Sequence, residues 1–207
     1  MEKYTLADTG REKRYNKALS LDDAHVDSVI KIAKKHIVKG NKSSKSFKNY
    51  DKFHSKILAD TNNYKEKAIV FDDFGVLIFE KLGNNKAIRF TDGEVTRMNG
   101  KALIHNHPSG QTLSFEDVLL AIRGELKEIV AFSGKGTYFK LIIKDKLDIN
   151  DIRIQYAQAK KEAASVINTL VSKGVFTKEQ ADLEYKHFIM SLFSQKIKGV
   201  RYEQTQY

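Results

Sequence analysis

Cysteine and tryptophan are absent from this chain, and proline occurs once in 207 residues. Without cysteine there are no disulfides, thiolate zinc sites, iron–sulfur clusters or cysteine nucleophiles. The compartment stays open on that point, because cysteine-free chains exist on either side of a membrane. Long apolar runs are missing as well. The longest, Val118 to Ile122, is far short of the ~20 residues a bilayer-spanning helix needs. Neither a membrane span nor a secretory signal fits, so the expected location is the cytoplasm, with export by a specialised route as the alternative. Yet 41% of the residues are apolar and 10% aromatic, enough to build a core. The length suits one sizeable domain, or a core domain with helical additions.

Charge is abundant and lopsided. Lys and Arg number 36 against 26 Asp and Glu, a net of +10, of which +6 falls on residues 1–62. A basic balance favours acidic partners such as nucleic acid, an anionic surface or an acidic protein, without naming one.

Three segments are predicted. Residues 1–62 form a basic N-terminal segment with one helix. Ser20 and Asp23 make a capping pair, Val26, Val29, Ile30, Ala33 and Ile37 recur at helical spacing, and Gly40 closes the run. Beyond it Lys39, Lys42, Lys45, Lys48, Lys52 and Lys56 are interleaved with Phe47, Tyr50 and Phe53. That pattern is either a nucleic-acid face or a solvated, poorly packed stretch. Residues 63–146 read as strands around one helix: Ala68–Phe71, Val76–Phe79, Ala87–Phe90, Ala102–His105 and the hairpin 129–143, with a helix from Ser114 to about Leu126. Residues 147–207 read as a helical hairpin. Its first stripe is Ile152, Tyr156, Ala159, Ala163, Val166, Ile167 and Leu170. Its second, after a Thr177/Gln180 capping box, is Ala181, Tyr185, Phe188, Ile189, Leu192 and Ile197. The expected fold class is α/β (α+β), a layered sheet with helices.

The chemistry concentrates in Ile104 to Asp117. His105 and His107 stand two apart at the end of an apolar strand, a period that puts both rings on one face, near enough to share a metal ion. Pro108 ends the strand, Ser109 and Gly110 turn the chain, and Ser114 opens a helix with Asp117 in its first turn. Two histidines and a carboxylate with one position left open is a catalytic zinc arrangement. The plainer alternative makes Ser114 and Asp117 an N-cap and its first-turn acid, and the histidines ordinary half-buried residues. His25, His36, His54 and His187 have no partner at ligand spacing and receive no role.

The series His105-x-His107-Pro108 followed by Ser114-x-x-Asp117 resembles the zinc signature of the JAB/MPN (JAMM) metalloprotease superfamily. The run His-Asn-His-Pro-Ser-Gly is similar to its RadC-like and phage- or toxin-associated branches. The resemblance spans about 64–144. Between His107 and Ser114 the chain is one residue shorter than is usual there, the difference falling in the Ser109–Thr112 turn. The resemblance implies a curved β-sheet flanked by helices and a zinc ion on His105, His107 and Asp117. It also implies Ser114 as an oxyanion donor and an upstream glutamate, Glu66, as general base, with Glu80 as the competitor for that position. The implied activity is hydrolysis of a peptide or isopeptide bond, with a ubiquitin-like tail or a phage- or toxin-associated protein as substrate. Two rivals accompany it: a RadC-like, nucleic-acid-associated protein whose metal site spares peptides, and a catalytically inactive docking module.

Overall fold

The computed structural model describes residues 22–35, 37–39, 52–53, 56–57, 65–84, 87–133 and 136–206. Its elements run α1 (Asp23–Lys35), β1 (Ile37–Lys39), β2 (Lys67–Phe71), β3 (Leu77–Leu82), α2 (Asp92–Thr96), β4 (Ala102–His107), α3 (Phe115–Arg123), β5 (Glu128–Ser133), β6 (Thr137–Ile143), α4 (Ile149–Ser172), α5 (Lys178–Lys196) and β7 (Val200–Gln206). The class is mixed α/β, as the alternation of strand and helix patterns implied.

Among the described residues the strands form one open sheet in the order β1-β7-β6-β5-β4-β2-β3. β4 and β5 pair in parallel, joined by the crossover helix α3, and β1 pairs in parallel with β7. The other neighbours are antiparallel. Alternation along the strands separates two faces. One carries Ala68, Val70, Leu103, Ile129, Ala131, Phe139 and Leu141, and α1, α3, α4 and α5 cover it. The other carries Ile69, Phe71, Ile104, Val130, Phe132 and Tyr138, packed with Phe53 and Ile57.

The two helical stripes of the C-terminal segment bury into the first face: Ala163, Ile167, Phe188 and Leu192 all join the core, and Tyr156 lies tilted against Phe115 and meets Phe193 edge-on. The capping box of Thr177 and Gln180 forms as anticipated. Membrane crossing by any described helix is excluded on length and apolarity.

Four expectations need correction. Residues 87–90 form no strand; Asn84 and Ala87 instead close a turn, and Phe90 packs edge-on against Phe79. The α3 helix ends at Arg123, because Gly124 caps it and Glu125 takes a left-handed φ of 46°. α1 is capped by Asp22, whose Oδ1 accepts from the His25 N–H at 2.7 Å, while Ile37 lies in β1; Ser20 and Gly40 lie outside the described residues. Residues 200–206, placed within the helical-hairpin segment 147–207, form β7 and insert between β6 and β1.

Candidate metal centre

β4 is a central strand, paired on both sides, and its alternation sends His105 and His107 to the helix-covered face. Pro108 follows, Gly110 takes a φ of 73° and donates to the His107 carbonyl at 2.9 Å, and the chain re-enters as α3. That places the N-terminus of a helix at the carboxyl end of a parallel strand, a position where α/β folds collect ligands. Ser114 is the N-cap. Its hydroxyl accepts from the Asp117 N–H at 3.2 Å and donates to Asp117 Oδ2 at 2.7 Å, and its own N–H donates to the same oxygen at 2.6 Å. The plainer reading of Ser114 and Asp117 as a capping box is therefore realised, and the box itself aims Asp117 back at the strand.

The three side chains meet. His105 Nε2 lies 2.9 Å from His107 Nε2 and 3.2 Å from Asp117 Oδ1, and His107 Nε2 lies 3.5 Å from Asp117 Oδ2. Their donor atoms all fall within 4.8 Å of one another, so the group can hold a metal ion. His107 Nδ1 faces the carbonyls of Gln111 at 3.0 Å and Thr112 at 3.1 Å. Carbonyls only accept, so Nδ1 carries the hydrogen and Nε2 presents its lone pair to the cluster, as a ligating imidazole must.

Electrostatics follow from burial and proximity. Burial opposes a charge on His105, but the Asp117 carboxylate, with Glu66 behind it, outweighs that and raises the imidazole pKa. Burial would lift Asp117, yet His105 and His107 hold it well below the usual carboxylate range. His107 is pushed down by burial, which exceeds the pull of Asp117. Glu66 is raised by burial, against the pull of His105.

Glu66 immediately precedes β2 and is held by ladder bonds: its N–H donates to the Asn84 carbonyl at 2.9 Å, and its carbonyl accepts from Gly83 at 2.8 Å. It shares the parity of Ala68, which pairs with His105, and lines the same cleft of about 540 Å³ as His105 and Asp117. Glu80 pairs with Ile69 and so belongs to the other face, where it meets Lys56 at 3.4 Å and Lys67 at 3.8 Å. The apolar wall of the cleft is Ile88, Phe90, Val95, Leu119 and Leu120.

Spacing gave no signal for Asn106. Fully buried on the opposite face, it donates to the Lys65 carbonyl at 2.9 Å and accepts from the Lys67 N–H at 2.6 Å, gripping the backbone on both sides of Glu66. The described residues of the basic stripe engage other parts of the fold. Phe53 is buried against Phe71, with ring centroids 4.9 Å apart. Lys52 donates to the Gly75 carbonyl, and Lys56 meets Glu80. Lys42, Lys45, Lys48, Phe47 and Tyr50 lie outside the described residues, as do His36 and His54.

The fold and cluster together define an α/β protein with a metal-capable His-His-Asp centre in a cleft. Comparison with family models, curated proteins and solved structures found no match.

Proposed function

We propose that the protein is a zinc-dependent hydrolase of the JAB/MPN type that cleaves a peptide or isopeptide bond. The observation that carries this reading is a separate carboxylate, Glu66, lining one cleft with His105 and Asp117 of the His105–His107–Asp117 donor set. Zinc suits the spacing: donors on one tetrahedral ion at ~2.0–2.1 Å stand roughly 3.3 Å apart. The separations from His105 Nε2, 2.9 Å to His107 Nε2 and 3.2 Å to Asp117 Oδ1, lie close to that value, and His107 Nε2 approaches the other Asp117 oxygen at 3.5 Å.

A zinc ion held by these three residues would polarise the scissile carbonyl and make water a competent nucleophile near neutral pH. The protein's own groups do the rest. The Ser114 capping box holds Asp117, and the 108–114 turn holds His107. Glu66 takes the proton of the attacking water on its carboxylate and returns it to the departing amine; burial, by raising its proton affinity, suits it to both directions of transfer. The apolar wall from Ile88 to Leu120 excludes bulk water and receives substrate side chains. Ser114 is assigned first to positioning Asp117, since its hydroxyl proton is engaged there; service to an oxyanion requires redirecting that proton.

Two expectations test the reading. Asp117→Asn should abolish stoichiometric zinc uptake, measured by elemental analysis after dialysis. It should also abolish zinc-dependent cleavage of a proteome-derived peptide library or an isopeptide-linked ubiquitin-like conjugate, followed by mass spectrometry. Full zinc occupancy in that variant would remove Asp117 from the donor set. Wild-type protein that binds zinc yet cleaves neither probe would remove the hydrolase. The second expectation concerns pH. Zinc must displace the proton that Asp117 stabilises on His105, so affinity should fall as pH drops through the raised His105 pKa, with proton release on binding. Calorimetry in buffers of different ionisation enthalpy reads this directly; pH-independent affinity between about pH 5 and 8 would contradict it.

A further inference from the structure

The C-terminal segment has no part in the chemistry above, yet it carries two buried polar side chains linked through Thr112 to the turn that follows His107. His187 on α5 is 4% exposed and Tyr202 on β7 is fully buried. The Tyr202 hydroxyl lies 3.0 Å from His187 Nδ1 and 2.9 Å from Thr112 Oγ1, and His187 Nε2 lies 3.2 Å from the Ala33 carbonyl of α1. The proton directions follow from what each group can do. Because the Ala33 carbonyl only accepts, His187 Nε2 carries a hydrogen. In a neutral ring Nδ1 then accepts, so Tyr202 donates to it and Thr112 donates to Tyr202. The chain runs one way, from Thr112 through Tyr202 and His187 to α1.

Thr112 also faces the metal centre, by its backbone. It and Gln111 are the two residues whose carbonyls receive the His107 Nδ1 proton. Their side chains are also held from the C-terminal segment, Gln111 by Lys186 and Thr112 by Tyr202.

We propose that α5 and β7 clamp the metal centre through this turn. Lys186 and Tyr202 hold Gln111 and Thr112 so that their carbonyls lock His107 with its Nε2 lone pair on the cluster. Thr112, Tyr202 and His187 are thus positioning residues for a divalent metal ion, an inference that rests on reading the cluster as a metal centre. With the turn released, His107 can adopt the other tautomer, whose Nε2–H faces the cluster and must be displaced before a metal binds.

Tyr202→Phe keeps the ring and removes the hydroxyl; Thr112→Val and Thr112→Ser remove and keep the partner hydroxyl. Zinc affinity is measured by competition with a chromophoric chelator, and the His107 tautomer of the metal-free protein by long-range proton–nitrogen NMR. Tyr202→Phe and Thr112→Val should weaken zinc binding by about tenfold or more, in the range seen when outer partners of a ligand are lost. Thr112→Ser should stay close to wild type, and the double variant should bind no worse than either single one, because both cut the same bond. A purely structural role would lower the melting temperature and leave zinc affinity alone. Wild-type affinity in Tyr202→Phe overturns the clamp. Absence of zinc uptake by the wild-type protein instead overturns the metal reading. The tautomer then decides the clamp: supported if Tyr202→Phe mixes the His107 tautomers, overturned if Nδ1–H persists.

Discussion

Glu66→Gln should keep zinc bound and lower hydrolysis by about 10²–10⁴-fold, the usual cost of losing a general base. The substitution preserves size and the ladder bonds, which are made by backbone. Glu66 also lies outside the donor set that holds the metal. What disappears is the proton acceptor in the cleft. Glu80→Gln is the matched control. Its side chain stands on the opposite face and meets Lys56 and Lys67 at a partly exposed surface, where an ion pair contributes ~0–1 kcal/mol. Activity in Glu80→Gln should therefore match the wild type. A collapse in Glu80→Gln with full activity in Glu66→Gln would move the reacting centre to the other side of the sheet. Asn106→Ala should approach the Glu66 phenotype in part, by freeing the backbone at Lys65 and Lys67.

Removal of residues 147–207 should leave a chain that does not fold cooperatively. The segment contributes Ile152, Val166, Ile167, Leu170, Phe188, Ile189, Met190, Leu192, Phe193 and Tyr202 to the main core. At ~1.5–3 kcal/mol for each large apolar side chain buried, their loss exceeds the ~5–15 kcal/mol of net stability typical of a domain. Deletion also strips β7 from β6 and exposes a sheet edge. Circular dichroism on heating and size-exclusion chromatography would show an unstructured or aggregated fragment. A soluble, monomeric 1–146 fragment melting where the full chain melts would mean that the helices merely rest on a self-sufficient core.

The parts of this molecule legible in the sequence are those whose signal is local. His105 and His107 share a face because a strand has a period of two, and Ser114 and Asp117 meet because a capping box spans three residues. The α4 and α5 stripes show for the same reason. Partnership at a distance leaves no such mark. Residues 87–90 alternate like a strand, but among the described residues they join none of the sheet's ladders. The apolar signal of β7 is little more than Val200 and Tyr202, and its partners are β6 and β1, far back in the chain. Phe53 sat in a basic stripe and proved to be core, because it packs on Phe71 of β2. Asn106 and Thr112 read as filler between conspicuous neighbours, since their partners lie 39 to 90 residues away.

The placing of β7 bears on how the chain is made. β1 near the start pairs with β7 at the far end, Ile37 opposite Gln204. A growing chain therefore presents both histidines and Asp117 long before Tyr202 leaves the ribosome, with the turn behind His107 still unanchored and the β6 edge unpaired. Closure over so long a loop is slow, because its entropy is lost before any pairing is gained. On the clamp and the hydrolase reading proposed above, the incomplete polypeptide would be a poor metal ligand and an inert enzyme. On that reading, competence would arrive only once β7 pairs with β6 and β1 and Tyr202 reaches Thr112.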